Sequence, residues 1–229
     1  MTPSAASYGI LKSSIREDLN AFTLCYRIKP YFFRPEVIVL SYVVAKDDIF
    51  RTDHNRRGMQ LMMALQRLRQ VTEAVTPLMF WSAWCYGVDS ATGEWKIYMN
   101  GEKIADGRWL PVSKVRSAWA SNRNSNNFTT PSNRAERKRK NSYSIQVVLP
   151  KNGTLVIGQD QDTEGSGFDA TQSFCGEFTG LEIFDRMLDE FDLKDLSSCE
   201  SVLGGNILTW DEAVWDVGAD SAEVRQVDR

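Results

Sequence analysis

The sequence predicts an all-β protein, an antiparallel jelly-roll β-sandwich of two sheets with one short helix. Apolar or alternating runs of about four to eight residues recur along the chain, and turns rich in Gly, Pro and Asn separate them. Few stretches have a helical pattern. A chain of 229 residues suits one such domain, because sandwiches can exceed about 200 residues without splitting. We therefore expect residues 1–229 to form a single domain.

The first half of the chain carries the strongest strand signals. Ala21–Lys29 alternates, with Phe22, Leu24, Tyr26 and Ile28 on one face. Val37–Val44 is a nearly continuous β-branched run, which is typical of a buried strand. Asn100-Gly101 lies between two alternating runs and predicts a hairpin turn. Residues 1–17 have no clear period, and we expect only a short edge strand there.

The second half is expected to close the sandwich. Thr154–Ile157 and Leu181–Phe184 predict strands, and Ile207–Trp210 and Val214–Val217 predict two closing strands. Leu188–Leu196 predicts a short helix, since its apolar residues fall at helical spacing and a lysine lies near its end. The apolar residues of that helix are Leu188, Phe191, Leu193 and Leu196.

Residues 51–84 depart from the strand pattern. Leu61, Leu65, Leu68 and Val75 fall near helical spacing, which predicts a helix and conflicts with an antiparallel sandwich. The one histidine of the chain, His54, lies in this stretch. It has no Cys, Ser or carboxylate partner at a known spacing, so we expect a solvated side chain rather than a catalytic base.

A second departure is an atypical insertion at residues 108–152, which is Asn/Ser-rich and basic. Residues 107–147 hold nine basic residues and one acidic residue, although the formal net charge of the whole chain is −3. The basic run at 134–140 has two functional interpretations, a polyanion patch or a localisation signal. We favour a solvated, disordered insertion and expect no nucleic-acid binding.

The most chemically distinctive stretch is GTLVIGQDQDTEGSGFDATQSF at residues 153–174. Asp160, Asp162 and Asp169 fall within ten residues, together with Gln161 and Gln172. Two carboxylates about 4 Å apart repel by about 4 kcal/mol at an effective dielectric near 20, so a fold that gathers them needs a cation. Oxygen donors and loose geometry favour Ca²⁺ over Zn²⁺. The alternative is a solvated acidic turn.

The motifs GQDQD and FDATQSF, with a glycine-bearing turn between them, resemble the calcium-binding segment of the pentraxins. The likeness continues downstream in GEFTGLEIFDRML and GGNILTW, and upstream in FTLCYRIKP, SYVVAKDD and SATGEWKIYMNGEKIADG. The resemblance covers most of the chain apart from the two departures. It implies the same architecture, a lectin-like (concanavalin-like) jelly roll.

The resemblance also implies a calcium site. Asp48, Asp160, Asp162, Asp169 and Gln172 would contribute side chains and Gln161 its backbone carbonyl, holding two Ca²⁺ ions. The family usually has Asn after the residue at position 48, whereas this chain has Ile49, so the first site should be weaker. The alternative for Asp47 and Asp48 is an exposed acidic pair at a strand end.

Partners and location follow from the same resemblance. Pentraxins are not enzymes; they bind phosphocholine, phosphoethanolamine or carbohydrate through calcium, form cyclic and usually five-fold rings, and are secreted. We therefore expect a secreted pattern-recognition protein of innate immunity that forms a ring, binding such ligands on microbial or damaged-cell surfaces. No run of about 18 apolar residues occurs. Residues 1–7 lack the features of a signal peptide, which favours a truncated start or an unusual export route.

The four cysteines are Cys25, Cys85, Cys175 and Cys199, and none has zinc-site spacing. The resemblance implies a Cys25–Cys85 bridge, which would close a loop of about 60 residues and stabilise the fold by about 4 kcal/mol. Cys175 and Cys199 are then expected as a second pair. The alternative is that both are buried thiols.

Three other functions compete with this interpretation. A jelly-roll glycoside hydrolase would use Glu182 and Asp185, but residues three apart in a strand face opposite sides. A degenerate pentraxin-like paralogue with weakened or lost calcium binding would act as a structural or adhesion module. A laminin-G-like adhesion module fits the GQDQD and FDATQ motifs less well.

Overall fold

The computed structural model describes residues 4–63, 68–108, 148–198 and 200–218, and in these residues the chain forms two antiparallel sheets. The first sheet has the order β12-β1-β10-β3-β4-β5-β6 and the second the order β11-β2-β7-β8-β9. The strands are β1 Gly9–Leu11, β2 Ala21–Pro30, β3 Ile38–Val44, β4 Asp47–Asn55, β5 Gly58–Met63, β6 Leu68–Thr72, β7 Ser82–Asp89, β8 Glu94–Met99, β9 Glu102–Arg108, β10 Thr154–Ile157, β11 Gly176–Phe184 and β12 Trp215–Val217. The predicted sandwich is confirmed.

The core lies between the two sheets and follows the predicted alternation. The side chains of Phe22, Leu24, Tyr26 and Ile28 are all buried, and the ring of Phe22 on β2 lies 5.8 Å from that of Phe50 on β4. β3 is buried along almost its whole length. Each such aliphatic or aromatic side chain contributes roughly 1.5–3 kcal/mol through removal of apolar area from water.

The Cys25–Cys85 disulfide lies on the outer face of the second sheet. The two cysteines stand opposite each other in the β2–β7 register and are bonded. A helix, α1 Glu190–Ser197, covers them with the buried side chains of Leu193 and Leu196. The side chain of Asp189 caps this helix by accepting from the N–H groups of Phe191 and Asp192, at 2.9 Å each.

The helix prediction for 188–196 is confirmed, but one of its apolar residues is not buried. The phenyl ring of Phe191 is exposed, and Leu188 packs in the helix–disulfide cluster from just before the cap. Cys175 is buried, and burial raises the pKa of its thiol. Cys199 lies outside the described residues, so its pairing with Cys175 stays a prediction.

The helix predicted from Leu61, Leu65, Leu68 and Val75 is wrong, because the described residues on either side of 64–67 form β5 and β6. β5 pairs antiparallel with both β4 and β6. Met59, Leu61 and Met63 are buried at every second position, which is the period of a strand. As a strand, β5 pairs with β4 on one side and with the edge strand β6 on the other, and this tertiary context outweighed the helical spacing.

The expectation of a solvated His54 is also wrong. Its side chain is fully buried: Nε2 lies 3.0 Å from the hydroxyl of Tyr26, and Nδ1 lies 3.0 Å from that of Thr76. The Tyr26 hydroxyl also bonds Thr52 and Tyr86, at 2.9 and 2.7 Å. The histidine belongs to a hydrogen-bonded group inside the core.

The disordered insertion predicted at 108–152 stays a prediction, because residues 109–147 lie outside the described residues. At its borders, Arg108 ends β9, and Val148 and Leu149 are buried. Two other elements differ from expectation. No regular strand forms at 207–210: Leu208 makes one bridge to Ile183, and a 3₁₀ helix, Trp210–Glu212, begins at the last of these residues. The short first strand, β1, lies between β12 and β10 rather than at an edge.

Candidate functional site

The predicted site segment starts where β10 ends. Gly158 has φ +85°, a conformation that favours glycine, and it turns the chain out of the strand while its N–H donates to Val39 O at 2.9 Å. The Ser41 hydroxyl on neighbouring β3 then donates to Gln159 O at 2.8 Å. These bonds place residues 159–161 beside the centre of the first sheet.

Gln161 anchors the loop from inside. Its side chain is buried, and its amide Nε2 donates to Ser41 O and Thr154 O at 3.2 and 3.1 Å. Its Oε1 accepts from Gly165 N at 2.8 Å. The side-chain groups are therefore used to hold the loop, and the ligand role of the Gln161 backbone carbonyl stays a prediction.

The acidic residues meet at a cation that the sequence analysis did not consider. Arg51 Nη1 lies 2.7 Å from Asp160 Oδ2 and 3.7 Å from Asp48 Oδ2. Its Nε lies 3.4 Å from Asp53 Oδ1, and its Nη2 lies 3.8 Å from Glu36 Oε1. We call these five residues the Arg51 cluster. Two of the predicted ligands, Asp48 and Asp160, thus share one guanidinium.

Burial controls the electrostatics of the Arg51 cluster. Desolvation raises the pKa of Asp48 to about 7, opposed by Arg51 and reinforced by Asp160 and Asp53. Desolvation likewise raises the pKa of Asp53 to about 6, again opposed by Arg51. Burial alone would lower the pKa of Arg51, but the surrounding carboxylates raise it. The cluster holds excess negative charge in a poorly hydrated place, with one cation to offset it.

The other predicted ligands lie on the exposed turn beyond. Asp169 accepts from Thr171 N at 2.8 Å through Oδ1, which lowers the pKa of its carboxyl. Its backbone carbonyl accepts from Gln172 N, and Gln172 O accepts from Ile38 N. Asp162 packs closely against Gly167, where an added Cβ would lie 2.6 Å from its own. These bonds fix the backbone of the turn beside β3.

Glu164, which the sequence analysis left out, ties the same turn down. Its Oε2 accepts from Ala45 N at 3.2 Å and its Oε1 from the Thr154 hydroxyl at 2.9 Å. Glu36, Arg51 and Asp53 were also missed. The alternation of Arg51 and Asp53 on one strand places both on the same face, and this signal could have identified them.

The donor chemistry suits calcium, whereas the arrangement suits it only in part. All the candidate groups present oxygens, and Asp48 Oδ1 is buried without a hydrogen-bond partner. In the ranges that the structure describes, however, no three acidic, His or Cys side chains come close enough to hold a metal. Two of the predicted ligands, Asp48 and Asp160, already share a cation in Arg51.

Glu182 and Asp185, the two carboxylates of the competing hydrolase hypothesis, lie in different surroundings. The buried Glu182 accepts from Gly205 N and Trp210 N, at 2.8 and 3.4 Å, and so holds the segment that follows helix α1. Asp185 is exposed beyond the end of β11. The pair does not form a shared acid–base site.

The Pentaxin family model matches residues 2–109 and 108–224. Neuronal pentraxin-1 of Rattus norvegicus is 48% identical over 62 residues, 27% of this chain and 14% of that protein. Human neuronal pentraxin-2 is 24% identical over 209 residues, 89% of this chain and 39% of that protein. C-reactive protein 1.4 of Limulus polyphemus is 27% identical over 201 residues, 85% of this chain and 70% of that protein. The chain thus spans well under half the length of the neuronal relatives.

The solved structures show a likeness in fold. A native heptameric SAP-like pentraxin from Limulus polyphemus has a TM-score of 0.66 at 20% identity, covering 92% of this chain and 85% of that one. The extracellular region of zebrafish Gpr126/Adgrg6 has a TM-score of 0.62 at 15% identity, covering 99% of this chain and 26% of that one. At these identities the match concerns architecture alone.

Proposed function

This chain belongs to the pentaxin family, whose model matches nearly its whole length, and on that premise we propose that it is a secreted, calcium-dependent, lectin-like recognition protein of innate immunity. Pentraxins are binding proteins rather than enzymes. The observation that carries the proposal is that Asp48 and Asp160, from separate segments, both lie beside Arg51 Nη1 on the first sheet. A solvated acidic turn would not require this convergence.

The proposed ion site uses the oxygen donors of two segments. Asp48, Asp160, Asp162, Asp169 and Gln172 would supply side chains and Gln161 its backbone carbonyl, for two ions. When bound, calcium would supply a positive centre that can accept an oxygen of the ligand directly. The protein's own contribution is to hold the loop, through Gln161 and Glu164, in one conformation before the ion binds.

The proposed ligands are phosphocholine, phosphoethanolamine or glycan groups on microbial or damaged-cell surfaces. They share anionic or hydroxyl oxygens that suit a hard cation. Calcium modules outside cells often bind at about 10⁻⁴–10⁻³ M, so useful affinity needs many sites facing one surface. We propose a cyclic homo-oligomer, a pentamer by resemblance, while the Limulus relative is a heptamer. None of the described helices is long and apolar enough to cross a bilayer.

A calcium titration of the chain beside Asp162→Ala tests the proposal. We expect calcium to raise the melting temperature and release or absorb heat on binding, and Asp162→Ala to weaken both responses by about tenfold or more in calcium concentration, because a charged ligand is lost. Retention on phosphocholine resin should then disappear in EDTA. An equal response from both proteins would contradict this assignment of the site.

The Arg51 cluster favours a second candidate function, a structural or adhesion module with weakened or lost calcium binding. Its guanidinium already offsets the charge of Asp48 and Asp160, and Ile49 stands where the family usually has Asn. No calcium response in the native chain would favour this candidate over the first.

A further inference from the structure

The position of Arg51 follows from strand register. Arg51 on β4 is paired with Ser41 on β3, and the Ser41 hydroxyl holds the 159–161 segment through Gln159 O. The register therefore places the arginine directly beside the loop that carries Asp160. Its side chain is only 17% exposed, so its contacts with carboxylates are mostly shielded from water.

The contacts of Arg51 use all three guanidinium nitrogens. Nη1 faces Asp160 and Asp48, Nε faces Asp53, and Nη2 faces Glu36, at distances of 2.7 to 3.8 Å. A guanidinium keeps its charge at every ordinary pH. The carboxylates here therefore have a permanent positive charge beside them, although one guanidinium does not balance all four.

We infer that Arg51 is an internal counter-cation that competes with calcium for Asp48 and Asp160, so that an ion can use both carboxylates only when the guanidinium leaves them. The inference rests on the proposed calcium site. A divalent ion and a guanidinium that shared these oxygens would repel each other at short range, so their occupancies exclude one another. In the calcium-free protein the same arginine forms ion pairs with Asp48 and Asp160, so that these carboxylates are not left without a counter-charge.

The native chain should therefore differ from the same chain without Arg51 in two properties, its stability in EDTA and its calcium affinity. It should stay folded in EDTA and lose less melting temperature there than a chain without Arg51, because Arg51 offsets the carboxylates. It should also bind calcium weakly, because each ion must displace the arginine. Removal of Arg51 should reverse both properties, and the two changes should appear together.

The test compares the native chain with Arg51→Met and with Arg108→Met. Arg108 pairs with Glu94 at an exposed position, so the control variant makes the same change in net charge away from the cluster. A neighbouring positive charge shifts the pKa of a carboxyl group by about one to three units, which changes its proton affinity about tenfold or more. We expect its effect on calcium affinity to be of similar size. We expect Arg51→Met to bind calcium at least about tenfold more tightly by calorimetry, and to melt at lower temperature in EDTA but not in calcium. Arg108→Met should match the native chain in both measurements.

The outcomes separate this inference from the proposed function. Calcium binding of equal strength by the native chain and Arg51→Met would overturn the competition and leave the calcium site standing. Binding by Arg51→Met alone would support the competition and overturn calcium dependence in the native chain. Binding by neither protein would overturn both. If Arg51→Met fails to fold without calcium, the double variant Arg51→Met/Asp53→Asn keeps the net charge unchanged, and its calcium affinity decides in the same way.

Discussion

At the scale of single residues, the predicted calcium site depends on which positive charge balances its carboxylates. Asp160, Asp162, Asp169 and Gln172 could be picked out because carboxylates and amides crowd one short segment, whereas Asp48 was assigned through the family resemblance alone. The contact of Arg51 with Asp160 depends on the β3–β4 register and cannot be read from spacing, although Asp48, Arg51 and Asp53 lie close together on one strand. Glu36 was missed because it lies far from the motif in sequence.

His54 is a second residue that the sequence analysis misjudged: its side chain was expected to be solvated and is buried in the core. Nothing within a few residues of His54 indicates its partners, because Tyr26, Thr76 and Tyr86 come from other parts of the chain. The sandwich brings them together only after both sheets have formed. Long-range polar contacts of this kind are a limit of reasoning from local patterns.

His54 gives the protein a specific acid sensitivity. Burial lowers its pKa to about 3, whereas the unfolded chain titrates near the ordinary value of about 6.5. Between these values the unfolded state binds a proton that the native state does not, so stability is lost as the pH falls below about 6.5. The slope from this group approaches about 1.4 kcal/mol per pH unit.

Urea unfolding at pH 7, 6, 5 and 4 measures this effect in the native chain and in His54→Gln. Glutamine keeps hydrogen-bonding capacity in the core but does not titrate. We expect the native chain to lose stability relative to the variant at each step below pH 6.5, because the carboxyl groups common to both proteins cancel in the comparison. Parallel pH profiles would show that His54 does not carry the sensitivity.

At the scale of the elements, most strands were predictable because their alternation and their turns are local. Thr154–Ile157 has the predicted bounds, and the Asn100-Gly101 hairpin has the expected positive φ at both residues. β5 was missed even though Met59, Leu61 and Met63 alternate, because the leucines that follow also fit a helix. Where two periods fit the same residues, neighbouring strands decide the outcome.

The disulfide is the element-scale feature with the largest expected effect on stability. Cys25 and Cys85 join β2 to β7 across a sequence separation of 60 residues and lie under helix α1. We expect Cys25→Ala/Cys85→Ala to lower the free energy of unfolding by about 2–4 kcal/mol, because the unfolded chain regains the entropy of that loop.

Guanidinium unfolding of the native chain and the double variant, without reductant, measures the difference. A matched control is the native chain with dithiothreitol, which should shift toward the variant once the bond is reduced. Equal midpoints for all three samples would mean that strand pairing and the α1 contacts hold these elements together without the bond.

At the scale of the whole molecule, the surface carries an apolar stretch just before β7. Phe80 is 68% exposed and Trp81 is 45% exposed, next to the exposed side chains of Leu78 and Met79. Contiguous exposed apolar residues mark interaction surfaces more often than isolated ones do. In the proposed cyclic homo-oligomer, we expect this stretch to contact a second copy of the chain.

The assignment predicts that Phe80→Ser/Trp81→Ser lowers the mass of the assembly without unfolding the subunit. Light scattering after size exclusion measures the mass, and the melting temperature reports the fold, because neither side chain is part of the buried core. Phe191→Ser is the control, since it removes an exposed ring that belongs to helix α1 rather than to the stretch. Each contact repeats around a closed ring, so its loss at one interface is a loss at all of them, and we expect dissociation to monomers at micromolar concentration rather than a slightly smaller ring. An unchanged mass for the double variant, or an equal fall for Phe191→Ser, would place the contact between copies elsewhere on the sandwich.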